Sequence, residues 1–309
     1  MKQFNFDLTV ATNALNCPNP DAWYQKAYLT GEDVKFFHTI PGIKNSTKIA
    51  TTNFPSVLQA LDCTFAATSN PLSATTITVS PMKVNVSLCK STLETSFVVQ
   101  EMRAGSANYN VASFMAYYWD TLAKEVSSEL SVIRWQGNTA GTGSTYTGVN
   151  AYKTLTDGIE KQLNADADVV DVTLTAVTSA NVIAILAAVL NAAPTAVKQK
   201  EAGAKFFAST SVVTAFRIAA ALGNTNAYIT SDMRLVFAGY DIIEAPGMTD
   251  GYVVFTRPEN LIYAFDGSET ADLIAVDQLK TVGIPNILTV ALLAVGYKIV
   301  NPSEIVFLH

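Results

Sequence analysis

The sequence is short of charge. Asp, Glu, Lys and Arg make up only 15% of its 309 residues, while apolar residues make up 49%, against a usual charged share of about a quarter. Much of the surface must therefore be apolar or small and polar, and such a surface usually meets another protein. Bases are scarcer than acids: 20 Lys and Arg stand against 26 Asp and Glu, a net charge of −6. That argues against a nucleic-acid reader, which needs a basic face to neutralise phosphates, and leaves only weak, local contact with a polyanion. Histidine is nearly missing. With only His38 and His309, a Ser–His–Asp or Cys–His arrangement has few candidates and no zinc pattern appears. Three cysteines, Cys17, Cys63 and Cys89, are an odd number without CxxC spacing. They read as reduced thiols rather than disulfide partners or metal ligands. The longest apolar runs, Val182–Leu190 and Ile287–Val295, fall far short of the roughly 18–20 residues of a membrane span. The opening MKQFNFDLTVATNALNC has no continuous apolar core of a secretory signal.

What is present is one very long helical pattern, from Ser106 to Gly137. Val111, Phe114, Met115, Tyr118, Leu122, Val126, Leu130 and Ile133 recur at three- and four-residue steps and make one apolar stripe. Asp120, Lys124, Ser127, Ser128, Ser131 and Arg134 fall on or beside the other face, with Asp120 one turn ahead of Lys124 in the favourable order. Ser106 is the expected N-cap, and Gly137 opens the Gly/Thr/Ser stretch that ends the run.

The rest of the chain is arranged around that rod. Residues 1–40 have only a weak helical signal at Asp21–Tyr28 and read as an arm that has no core of its own and lies on something else. IPGIKNSTKIATTNF (40–54) and ATTITVSPMKVNVSL (74–88) read as two strands of a long exposed excursion, with Pro81 marking an edge strand or a bend. GNTAGTGSTYTGVNAY (137–152) is a small-residue loop, Tyr152–Ala165 a short helix, and ADADVVDV a solvated acidic segment. From Val172 come a helix capped by Thr178 or Ser179 and stopped at Pro194, a buried strand at Lys205–Ala208, and a helix at Ser209–Leu222 closed by Gly223. Strands at Arg234–Phe237, Tyr240–Ile243, Tyr252–Thr256 and Leu261–Phe265 follow, with a turn at Arg257–Asn260. Helices backed by an antiparallel sheet make an α+β unit. A long apolar strand at Asn286–Gly296 and a final strand at Ile305–Leu308 end the sequence.

This order of parts resembles the major capsid proteins of tailed bacteriophages of the Hong Kong 97 type. ITVSPMKVNVSLCKSTLE (77–94) and ALLAVGYKIVNPSEIVFL (291–308) carry the likeness, which spans essentially the whole chain. The resemblance implies an α+β fold with an N-terminal arm (1–40), an extended loop across a neighbouring subunit (41–92) and a peripheral domain (93–172) with a spine helix at 107–136. It further implies an axial domain (173–271), a returning peripheral strand (272–300) and a terminal strand returning to the axial domain (301–309). It implies self-assembly into hexamers and pentamers of an icosahedral shell around packaged double-stranded DNA, in a virion assembled in the host cytoplasm. Portal, separate scaffold and decoration proteins are the further partners implied, with no membrane and no cofactor. Encapsulins, the cellular nanocompartments, share this fold and fit the same texture.

Some members of that family form Lys–Asn links assisted by a glutamate, and Lys44, Lys48, Lys83, Asn301 and Glu304 are the matching residue types here; ordinary turn roles are favoured for them. A third reading is an α+β enzyme, but no catalytic, cofactor-binding or metal site is recognisable. The loop Gly137–Ser144 lacks the lysine of a phosphate loop and follows a helix. Asp166, Asp168 and Asp171 lack the glycine turn and distal glutamate of a calcium loop. Tyr117, Tyr118 and Trp119 read as packing residues.

Overall fold

The computed structural model describes residues 17, 19–52, 72–89, 111–173, 175–199, 203–223, 234–266, 274–278 and 286–309. The long helical pattern folds as helix α2 (Val111–Gln136), 26 residues without glycine or proline and about 39 Å long at 1.5 Å per residue. It stops where expected. Gly137 donates its N–H to the Ile133 carbonyl, and any Cβ there would strike the backbone of Ile133 and Thr156. Trp119, Ala123, Val126, Leu130 and Ile133 are buried, with Tyr118 and Leu122 packed at the margin. The expected cap Ser106 lies outside the described residues, as do the side chains of Val111, Phe114 and Met115.

Two corrections concern this helix and the segment before it. Ser127, Ser131 and Arg134, expected on the outer face, are buried. The cause is the stretch expected as an arm. Helix α1 (Pro20–Leu29), capped by the Asn19 side chain, buries Trp23, Tyr24, Ala27 and Tyr28 in the first core, and the Trp23 indole donates to the Trp119 carbonyl at 3.0 Å. Residues 20–37 are thus part of the first core, and α2 is covered on more than one side; residues 1–16 lie outside the described set.

Beneath α2 runs β12 (Asn286–Ile299), three residues longer than expected. Ala291, Leu293, Val295, Tyr297 and Ile299 alternate inward to the core. β4 (Ser80–Cys89) pairs along one edge of β12, while β10 (Leu261–Phe265) and β11 (Ile274–Gln278) share the other edge; β1 (His38–Pro41) adds parallel to β10. Between β10 and β11 the ladder is interrupted. There the Tyr24 hydroxyl donates to the Leu292 carbonyl at 2.9 Å, and the Ala294 N–H donates to the Tyr28 hydroxyl at 3.2 Å. Two tyrosines from α1 thus satisfy backbone groups that a strand would otherwise pair.

The single strand expected at 74–88 is two strands. The chain breaks at Val79, whose N–H donates to the Asn45 carbonyl. Before the break, β3 (Leu72–Thr78) pairs with β2 (Ser46–Thr52) to form the excursion; after it, β4 joins β12. Pro81 is tolerated because β4 lies at the sheet margin, where a missing N–H costs no ladder bond.

The second sheet has the order β5–β13–β9–β6–β8–β7, comprising Val170–Val172, Val306–Leu308, Val253–Thr256, Lys205–Ala208, Tyr240–Glu244 and Val236–Phe237. It is mixed, not antiparallel as expected. β6 and β8 run parallel because the helix between them carries the chain back across the sheet, and β5 pairs parallel with the C-terminal β13. β5 falls in the segment read as merely acidic, and β10, expected in this unit, belongs to the first sheet. The loop after α2 holds a 3₁₀ turn at Gly148–Thr154, so the helix expected at 152–165 shortens to α3 (Ile159–Ala165). Helices α4 (Val182–Ala192) and α5 (Thr210–Leu222) cover one face of the second sheet, placing Val182, Leu186, Val212 and Phe216 over Phe206, Phe255 and Leu308. On its other face, Phe207, Val254 and Phe307 enter the first core, where the rings of Phe37, Trp135 and Phe207 meet at 5.7–6.1 Å. One sheet therefore serves two cores.

Candidate assembly surfaces

Three places in this framework bear on function: a buried ion pair, the joint between the cores, and the surfaces left open. Arg134 and Asp33 are both fully buried. The Asp33 carboxylate accepts from the Arg134 guanidinium and from the Trp135 indole, both at 2.8 Å. The guanidinium lies 5.8 Å from the Phe37 ring centroid and 5.6 Å from that of Tyr263. Burial alone would push the Arg134 pKa down, but the Asp33 charge and hydrogen bond, together with Tyr297 and Tyr263, outweigh it and raise the pKa. Burial likewise pushes the hydroxyls of Tyr263 and Tyr297 well up.

The joint lies where the 245–252 loop, between β8 and β9, meets the C-terminal end of α2. The Gln136 amide donates to the Gly247 carbonyl at 2.9 Å, and a Cβ on Gly247 would collide with the Ser131 carbonyl. Glu160 on α3 accepts twice from Thr249, from its N–H and its hydroxyl, each at 2.7 Å. Burial pushes the Glu160 pKa up, although those two bonds and Lys153 act against it. A cleft of about 340 Å³ opens beside it, lined in part by Tyr146, Lys161 and Tyr252.

On the excursion, Ser46, Lys48, Ala50, Ala74, Thr76 and Thr78 share one exposed face, whereas Thr47, Ile49 and Thr75 on the other face are half-buried and Ile77 is buried; Lys44 and Asn45 just before it are exposed. Among the described residues it is anchored toward its root, where Ile43, Ile77 and Val79, with Ile49 at the margin, pack with Ile262 and Ala264 of β10. Elsewhere Leu222 on α5 is 78% exposed and Val149 90%.

The remaining sequence candidates are scattered. His38 is exposed at the start of β1. The His309 ring stacks on Phe307 and lies 3.5 Å from Asp171. Asp166, Asp168 and Asp171 gather no metal site: among the described residues no group of three or more such side chains could hold an ion. In the loop after α2, the Thr139 N–H and hydroxyl both donate to the Asp157 carboxylate, which occupies the donors a phosphate would need. Asn301 and Glu304 both reach Asn260, at 3.2 Å each, whereas Lys44 and Lys48 belong to the excursion and Lys83 to β4. Periodicity missed Arg134, Asp33 and Glu160. Their only signal was a charged residue inside a pattern otherwise rich in apolar neighbours.

No protein-family model and no curated protein matches the chain. Solved structures do. A chain of the satellite phage P4 procapsid that includes the size determination (Sid) protein aligns over 98% of both chains, with a TM-score of 0.57 and 10% identity. This chain has the Hong Kong 97-type capsid fold. The capsid of the native GTA particle aligns over 92% of this chain and 89% of its own, with a TM-score of 0.52 and 13% identity. A Gordonia phage Cozz structure aligns over 97% and 92%, with a TM-score of 0.50 and 11% identity. In the capsid fold as this chain builds it, α2 and β12 form the long axis of the first core, and the excursion leaves that core from β1 and returns to it at β4.

Proposed function

We propose that the chain is a major capsid protein that self-assembles into hexamers and pentamers of an icosahedral shell around double-stranded DNA. The observation that carries this is the excursion, a two-stranded ribbon with one face exposed at every described position and with its apolar packing, among the described residues, toward its root. A two-stranded ribbon is marginal alone in water, and the exposed face of this one is open to cover by another molecule. A second copy is the natural partner, since head-to-tail contacts between identical subunits close into rings by rotation. The low charge of the chain fits a surface covered by neighbours, and the net charge of −6 fits an inner wall that touches DNA weakly and non-specifically. The protein works by shape, without catalysis, and resides in the virion; portal, scaffold and decoration proteins are its further partners. The test is electron microscopy of the purified protein, followed by nuclease treatment of particles from the producing cell. Uniform closed shells protecting DNA support the reading. Shells without DNA would instead make it an encapsulin-like compartment, and a small discrete oligomer would overturn it.

A further inference from the structure

We propose that Glu160 and Thr249 form a proton-sensitive latch that sets how firmly the 245–252 loop holds the second sheet to the end of α2. The loop is fixed to the second sheet on one side, through Ala245 N–H to the Ala208 carbonyl and Gly251 N–H to the Ser209 hydroxyl. Its other side reaches the first core, where Met248 is buried. Only two polar attachments cross from the loop to α2 and α3 among the described residues, Gln136 to Gly247 and Glu160 to Thr249. Glu160 is the titratable one.

The groups facing it are few. Lys153, from the 3₁₀ turn, is the cation that acts on it, and its ammonium is already bonded to Gln136 at 2.9 Å. Lys161, its neighbour on α3, is paired with Asp157 at 2.7 Å. Tyr146 and Tyr252 line the cleft, Asp250 adjoins Thr249 on the loop, and α2 offers the uncharged Gln136. The charged carboxylate is therefore buried with incomplete compensation. A neutral acid fits the same geometry, because its carbonyl accepts the Thr249 N–H while its hydroxyl donates to Oγ1.

The direction follows. Opening the latch returns Glu160 to water and to its ordinary value of 4.5. A group whose value is higher when latched favours the latched state at low pH, and loses that advantage as pH rises through the raised value. The joint is tightest in mild acid and loosens toward neutrality, by about tenfold in the opening constant for each unit of elevation.

The experiment is amide exchange of Thr249 in dissociated subunits between about pH 4.5 and 8, corrected for intrinsic rates, so that it does not depend on whether shells form. Wild type is expected to show an opening constant that rises with pH and then levels. Glu160→Gln, whose amide can accept from the Thr249 N–H and donate to its hydroxyl, should be flat at the acid level. Thr249→Val removes one donor to the carboxylate and should leave the onset of the rise in place but carry it on to higher pH before it levels. A flat wild-type profile, an unchanged rise in Glu160→Gln, or a Thr249→Val curve superimposed on wild type would each overturn the proposal.

Discussion

Removing Asp33 should cost this protein more than almost any other single substitution. Asp33 and the Arg134 side chain are 0% and 1% exposed, and no other charged side chain bonds the guanidinium among the described residues. Asp33→Ala leaves that guanidinium charged in an apolar surround, at a cost of about 3–5 kcal/mol, and the Trp135 indole loses its acceptor as well, for about 1–3 kcal/mol. Because the two losses share one site they are not additive, and about 4 kcal/mol is the working figure. Against a total stability of about 5–15 kcal/mol, that is a large fraction. Asp33→Leu combined with Arg134→Met removes both charges at similar volume and should recover most of the loss. Urea denaturation of dissociated subunits measures all three proteins. If Asp33→Ala lies within about 1 kcal/mol of wild type, the pair is not buried and residues 20–37 are an arm after all.

Leu130→Ala should destabilise the subunit by about 2–5 kcal/mol by opening a cavity under α2, whereas Lys124→Ala, on the exposed side and paired with Asp120, should leave thermal melting unchanged. Equal melting of Leu130→Ala and wild type would mean that the stripe is not a core. Tyr263 is wholly buried and ionises more easily in the unfolded chain than in the native one, so stability should be intact below about pH 10 and fall as pH rises beyond it. Tyr263→Phe should reduce that alkaline slope, as read from melting curves between about pH 9 and 11; an identical slope would point to other groups.

Local pattern made some of this fold legible and could not reach the rest. The run of α2 from Val111, its stop at Gly137 and the strand at Lys205–Ala208 follow from stretches in which propensity, periodicity and end signals agree. Arg134 was misplaced because a 3.6-residue period describes one apolar face, while α2 is buried on more than one side by a segment about a hundred residues earlier. The break at Val79 was hidden because the same alternation continues through both β3 and β4; only the change of partner, from β2 to β12, divides them. Strand direction in the second sheet depends on crossovers, which composition does not encode. The joint at Glu160 was invisible for a simpler reason: one glutamate on a short helix reads as solvent-facing until its partner, 89 residues on, is known.

The central claim is that subunits join through the excursion. Residues 48–76 can be removed while Ile77 keeps its place in the root core, because Thr47 and Ile77 are register partners and a short Gly/Ser turn can connect them. β4 is retained, since it belongs to the first sheet. The deciding measurement is electron microscopy of this variant beside wild type, with circular dichroism to show that both are folded. Closed shells from wild type and only folded, unassembled subunits from the variant are the predicted result. Shells of normal size and yield from the variant would contradict the account.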